Sequence, residues 1–356
     1  MSFKSKTVSF LVAAAMSLAL FAPAALAAEQ TAPAGDAGGK ADAKAEVKAE
    51  VQYPVTVVDQ AGREVVIEEP VESIAICWYM ANDFVLALGA DDKLVAIGPH
   101  DEFQSLVAPR LDEIDTVGRG KPDMEKLADL DPDLFVHRVS DPDNLAACDA
   151  LGIDAIAIAP ETADETKEAL TMVATALGET ERAEMLIDLY DSIVDIATQA
   201  TADVKDKPTF LLLGKELGGV ANDAMMQAQM IVAGGGVNLA ADVETNELWP
   251  VAGVEQIFAW DPDFIFVSQT AEYTAADLLA DPAWADLNAV KAGHVYDVPG
   301  KLHNWENLGL APCLGTVWSM MKMYPDAYSE EEFDKLVVDF YKTVYDLDVT
   351  REMMGY

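Results

Sequence analysis

The chain is poor in cations, poor in cysteine and without a recognisable catalytic signature. It carries 23 Lys and Arg against 62 Asp and Glu, a formal net charge of −39 over 356 residues. So lopsided a surface repels nucleic acid and anionic membranes, which excludes both as partners. Cys77, Cys148 and Cys313 are odd in number and form no CxxC pair. A disulfide framework or zinc site is therefore not expected, and buried free thiols are; one disulfide between an unspecified pair stays open. There is no GxSxG, no HExxH and no GxxxxGK[ST]. Gly234-Gly235-Gly236 follows a helical stretch instead of opening a helix after a strand, so it is no dinucleotide fingerprint. The chain is read as a non-enzyme.

The N-terminus is a targeting segment. Lys4 and Lys6 precede an apolar run from Val8 to Phe21, too short to span a bilayer, and Ala25-Leu26-Ala27 supplies a small-x-small cleavage pattern. Residues 1–27 are read as a cleaved export signal. No cysteine sits near the cleavage point to carry a lipid, so the mature chain is expected in the periplasm, or secreted or surface-associated where the organism has no outer membrane. Residues 28–52 are rich in Ala, Lys and Glu with almost no large apolar side chain, and read as a flexible tether.

What the chain does have is an internal duplication. Met124-Glu125 through Asp131-Pro132-Asp133 to Val136 recurs as Val254-Glu255 through Asp261-Pro262-Asp263 to Phe266. Each copy has apolar residues at helical spacing, a proline that blocks the helix, then an apolar run suited to a buried strand. A chain that builds this helix–turn–strand unit twice is expected to form two similar lobes with a ligand cleft between them.

The rest of the pattern agrees. Val55–Val58 and Val65–Ile67 flank Asp59-Gln60-Ala61-Gly62-Arg63 as a hairpin. Strand–helix alternation then continues to Ile158, which predicts a mainly parallel sheet covered by helices. From Glu161 to Lys205 the pattern is helical, broken at Gly178-Glu179-Thr180. Its second part presents Met185, Leu186, Leu189, Ile193, Ile196 and Ala197 as one stripe, and is read as a rod between lobes. Strands resume at Thr209–Leu213, Phe264–Val267 and His294–Val298, and helices close the chain at Leu310–Met323 and Ser329–Tyr345. The expected fold is α/β: two Rossmann-like lobes with mainly parallel sheets joined by a single long helix. The lobes span 53–180 and 206–356, and the helix 181–205.

Several segments resemble one family. They are Val55 to Gly62, Ser73-Ile74-Ala75 leading to Leu86-Ala87-Leu88-Gly89-Ala90, both Glu…Asp-Pro-Asp units, Gly234 to Asn238, and Ala289 to Tyr296. Together they are similar to the class III periplasmic binding proteins of ABC importers for iron–siderophore, haem and cobalamin, with branches for molybdate or tungstate. Met323-Tyr324-Pro325-Asp326 with Phe340-Tyr341-Lys342 and Tyr345 is similar to a sub-branch. The resemblance implies capture of an iron complex, a siderophore or haem, with molybdate, tungstate or a corrinoid as the alternative cargo. The rival classes are a ligand sensor and an exported enzyme using the same cleft. It implies no intrinsic cofactor, a monomer, and an inner-membrane permease as partner. By position, Glu125 and Glu255 would dock on permease arginines; on pattern alone each merely complements its helix N-terminus.

Ligand contacts are expected from loops at the carboxyl ends of strands. Trp78, Tyr79 and Trp305 are the aromatic candidates. Arg119, Lys121, His137 and Arg138 gather within twenty residues of a cation-poor chain and suit a small anionic or metal-complex ligand. His303 completes the binding set. Direct metal coordination would fall to Tyr79, His100, His137 and His303, with Glu306, since imidazole, phenolate and carboxylate suit ferric iron. His294 is read as structural.

Overall fold

A computed structural model describes residues 52–244 and 249–356. The expected export signal, and the tether apart from its last residue, lie outside the described residues. β1 (Val55–Val58) and β2 (Glu64–Ile67) form the expected antiparallel hairpin. Asp59 wires its turn, Oδ1 accepting the amides of Ala61 and Arg63 while Oδ2 meets the Arg63 guanidinium at 2.8 Å.

The first half then runs β3 (Ile74–Ile76), α1 (Asn82–Ala87), β4 (Leu94–Ala96), α2 (Glu102–Val107), α3 (Met124–Leu130), β5 (Leu134–Arg138), α4 (Pro142–Leu151), β6 (Asp154–Ile158) and α5 (Ala163–Leu177). α6 (Thr180–Ala200) follows. The second half runs β7 (Thr209–Leu213), α7 (Met226–Ala233), β8 (Val237–Asn238), α8 (Val254–Trp260), β9 (Phe264–Val267), α9 (Ala275–Ala280), α10 (Asn288–Ala292), β10 (Val295–Asp297), α11 (Pro312–Met323), α12 (Glu330–Tyr345) and α13 (Arg351–Met354). Two four-stranded sheets result, ordered β4-β3-β5-β6 and β10-β9-β7-β8, with every pairing parallel. Counted from its own first strand, each half places its second strand outside the first and its third and fourth on the other side. The two sheets therefore share one topology. β8 escapes a sequence reading because it is two residues long and emerges from a glycine run.

The duplicated unit explains that common frame. α3 and α8 each end on an aspartate in the left-handed region, Asp131 at φ 43° and Asp261 at φ 46°. Their amides bond back to the Leu127 and Ile257 carbonyls. After the proline, the second aspartate of each copy ties its strand to the start of the neighbouring one. Asp133 Oδ2 accepts the amide and hydroxyl of Ser73, at 2.8 and 2.9 Å. Asp263 Oδ2 accepts the amide and hydroxyl of Thr209, both at 2.8 Å. Each hydroxyl in turn accepts the amide of its aspartate. The motif is a staple at the amino ends of both sheets.

α6 is one unbroken helix of 21 residues, about 31 Å long at 1.5 Å per residue. It starts one residue before the expected rod and ends earlier. Its buried stripe is Ala183, Leu186, Tyr190, Ile193 and Ala197, so the expected stripe is rotated: Met185 is 36% exposed, and Leu189 and Ile196 lie at the margin. One continuous hydrophobic cluster takes in this stripe, α1, α5, α11, α12 and the inner faces of both sheets, and two smaller clusters each line the outer face of one sheet. The described residues accordingly form one compact unit. α12 also packs against α1, although the sequence places it with the second lobe. Arg182 on α6 donates to the Ala87 and Val344 carbonyls, tying α1, α6 and α12 together. The three cysteines are buried and free. Among the described residues no helix is long and apolar enough to cross a membrane.

Candidate functional site

Parallel strands deliver all their following loops to one edge. At the carboxyl edge of the first sheet, β3 runs into buried Cys77, half-buried Trp78 and Tyr79, which opens a 3-10 turn at 36% exposure. Gly98 packs so closely that a Cβ there would sit 2.6 Å from the Cys77 carbonyl oxygen. Gly120, at φ 69°, donates its amide to the same carbonyl at 3.0 Å. A side chain at Gly98 would displace backbone, and one at Gly120 would force a conformation that L residues avoid.

Arg138, at the end of β5, lays its guanidinium over Gly120. Arg119, in the same loop, acts on Tyr79: burial raises the phenol above its ordinary value, Asp83 and Asp101 add to the rise, and Arg119 opposes it. Tyr79, Arg119 and Arg138 thus come together, with Lys121 exposed beside them. Among the described residues none of the three cations has a carboxylate partner, and Arg138 Nε is buried with no acceptor. A buried donor left open is costly, so this edge favours an arriving anion.

His137 does not join them. Neighbours in a strand face opposite ways, and His137 turns to the outer face, fully buried, 5.1 Å from the Phe135 ring and 3.0 Å from Asp141 Oδ2. Burial pushes its imidazole below the ordinary value, against the pull of Asp141. His100 pairs with Asp112 at 2.9 Å. His303 and Trp305, expected as cargo contacts, are 3% and 0% exposed. His303 stacks on Phe103 at 3.8 Å, and the Trp305 indole donates to the Tyr341 hydroxyl at 3.0 Å. Helix α12, which carries Tyr341, covers both, and residue spacing carries no sign of that cover. Among the described residues no three His, Cys, Asp or Glu side chains are grouped to hold a metal ion. Of the expected metal ligands, each histidine is held by its own aspartate: His100 by Asp112, His137 by Asp141 and His303 by Asp83.

The second sheet's edge is chemically different. Lys215 is paired with Glu272 at 3.4 Å. Trp249 lies against Gly214, whose carbonyl accepts the Tyr273 hydroxyl at 2.9 Å. Glu306, 2% exposed, joins the two outer loops: its Oε1 accepts the Ser268 hydroxyl at 2.5 Å and the Gln269 amide at 2.9 Å, while Oε2 has no partner among the described residues. Burial raises its carboxyl to about 7 despite these hydrogen bonds. A lone acid between buried Trp305 and Leu308 was the one signal of this role in the sequence.

Glu125 and Glu255 occupy matching places, exposed in the first turns of α3 and α8 with no ion pair among the described residues. Each helix returns the chain to the amino end of its sheet, because β5 and β9 begin four residues after α3 and α8 finish. Both acids therefore sit at the carboxyl-edge level of their sheets.

Comparison with known proteins agrees with this architecture. A family model described as periplasmic binding protein matches residues 74–302. The chain is 21% identical over 318 residues to the molybdate-binding protein MolA of Haemophilus influenzae, covering 81% of this chain and 90% of that one. It is 27% identical over 206 residues to the Fe(3+)-citrate-binding protein YfmC of Bacillus subtilis, covering 55% of this chain and 63% of that one. The crystal structure of a periplasmic solute binding protein from Veillonella parvula superposes with a TM-score of 0.73 at 24% identity, covering 85% of this chain and 95% of that one.

Proposed function

Because the chain belongs to the periplasmic binding protein family, we propose that it captures a ferric complex, a siderophore or haem, between its lobes and delivers it to an inner-membrane permease. At the coarser level it is a substrate-binding protein of the ABC-importer type and not an enzyme. The observation that carries the finer reading is the group Arg119, Lys121 and Arg138, three cations without carboxylate partners among the described residues of a chain of net charge −39. In so acidic a protein a neighbouring carboxylate is the default partner. Cations left open at one edge suit an anionic cargo. Histidines each engaged by an aspartate favour iron that arrives already chelated, and the likeness to a ferric-citrate binder points the same way. Tyr79 and half-buried Trp78 supply apolar and stacking surface for the chelator.

A second reading, a molybdate-type oxyanion, uses the same cations and is favoured by the likeness to a molybdate binder. Titration of the purified protein with ferric citrate, haem and molybdate separates the two. Ferric citrate or haem is expected to bind, with a characteristic absorption band. The Arg119→Ala/Arg138→Ala pair should weaken binding at least about 100-fold, since each charge-assisted contact contributes roughly 1.5–3 kcal/mol. Molybdate binding alone would overturn the iron reading, and unchanged affinity in the double variant would overturn the cationic site. A ligand sensor would bind cargo yet leave uptake unchanged when deleted. The protein is expected to act as a monomer, which light scattering of the purified chain checks.

A further inference from the structure

From the Tyr79 carbonyl a string of buried polar groups joins the first sheet's edge to α12. The Trp305 Nε1–H donates to the Tyr341 hydroxyl at 3.0 Å, and that hydroxyl lies 3.0 Å from His303 Nδ1. Across the ring, His303 Nε2 is 3.3 Å from Asp83 Oδ2. Asp83 Oδ1 accepts Gln104 Nε2 at 2.6 Å, and the same nitrogen reaches the Tyr79 carbonyl at 3.3 Å. That carbonyl also accepts the Asn82 amide. Phe103 stacks on His303 with 8° between the planes, while Tyr341 and Tyr345 meet it edge-on. Every side chain in the string is buried.

The inventory of donors fixes its direction. An indole N–H only donates, so the Tyr341 oxygen accepts from Trp305 and has one proton to give. Giving it to His303 Nδ1 leaves the ring proton on Nε2, where it donates to Asp83. The opposite tautomer would leave the Tyr341 proton without an acceptor and set a bare Nε2 against a carboxylate. Desolvated groups do not tolerate that arrangement cheaply.

We propose that His303, as the neutral Nε2–H tautomer, and Asp83 are positioning residues that set the Tyr79 turn from the C-terminal part of the chain. Cargo affinity at the first sheet's edge then depends on contacts supplied by α12. The affinity consequence rests on the reading of Tyr79 as a cargo wall; the two ligand-free measurements below do not.

Nitrogen-15 NMR of the histidine rings in the wild-type protein should show His303 as Nε2–H, and Asp83→Asn should switch it to Nδ1–H. Amide exchange at Ala81 and Asn82 should quicken about tenfold in His303→Leu, the loss of roughly one buried hydrogen bond, while amides of β6 keep their wild-type rates. His303→Gln, which can keep a donor toward Asp83, should restore slow exchange. Ferric citrate affinity should fall by a similar factor in His303→Leu and recover in His303→Gln. An Nδ1–H ring in the wild type, or exchange at Ala81 and Asn82 unmoved in His303→Leu, overturns the proposal. A wild type that ignores ferric citrate counts against the iron reading, and the tautomer and exchange results still decide the relay.

Discussion

The two sheets are alike at their amino ends and unlike at their carboxyl ends. At the amino ends Asp133 and Asp263 make the same staple to Ser73 and Thr209, and both sheets carry the same strand order. At the carboxyl ends the first half offers cations around Tyr79 that have no carboxylate partner among the described residues, whereas the second pairs Lys215 and buries Glu306 against a hydroxyl and an amide. The difference teaches that a duplicated frame leaves its loops free. The Asp133 and Asp263 staples lie at the far ends of the strands from the edge proposed to meet cargo, so that edge can change its chemistry without disturbing them.

The strongest way to break this comparison is through the acids that match by position. If Glu125 and Glu255 dock equally, Glu125→Arg and Glu255→Arg should each impair uptake partly. Together they should abolish it, a loss of at least about 100-fold, since removing one partner of an interfacial charge pair costs roughly 2–5 kcal/mol. Ligand affinity of the purified double variant should stay at the wild-type level. Normal uptake by that variant would end the docking assignment.

The next test sharpens the chemical contrast between the edges. Glu306 has a folded-state carboxyl raised to about 7, against an ordinary value of 4.5. A raised acid favours folding most fully when both states are protonated, below about 4.5. Stability should then fall as pH rises toward 7 and level off above it, by at most about 3 kcal/mol. Denaturant unfolding between pH 4.5 and 8 should show this slope in the wild type and a flatter one in Glu306→Gln. The same slope in both would place the ionisation elsewhere.

The smallest expected effect tests the likeness at the amino ends. Burial raises the Asp133 carboxyl, but hydrogen bonds from Glu72 and Ser73 outweigh it and hold the group below the usual range. Asp133→Ala and Asp263→Ala should each cost about 1–2 kcal/mol, several exposed charge-assisted hydrogen bonds discounted for solvent. Chemical denaturation measures both. Unequal losses would show that the shared geometry hides unequal work.

Much of the frame was legible in the residues. The paired Glu…Asp-Pro-Asp units announced two similar halves because proline and a left-handed aspartate leave a local signature that depends on a few adjacent residues. The hairpin at Val55–Ile67 and the single rod near residues 181–205 were legible for the same reason. The site was only half legible. Arg119 and Arg138 could be grouped because one glycine-rich loop and one strand end carry them. His137 could not be separated from Arg138 without knowing which face of β5 was the inner one.

The sequence by itself determined the parallel α/β halves, their duplication and the scarcity of cations that makes an open arginine informative, all consequences of local periodicity and composition. Tertiary structure alone decided which histidines reach an edge. His303 and Trp305 read as loop residues, but α12 folds back over them, against α1, its Tyr341 lying 38 and 36 residues further along the chain. That contact arises because Phe333, Phe340 and Tyr341 gain more from joining the shared core than from staying in water. Burial of this kind is a property of the whole chain, and no window of neighbouring residues records it.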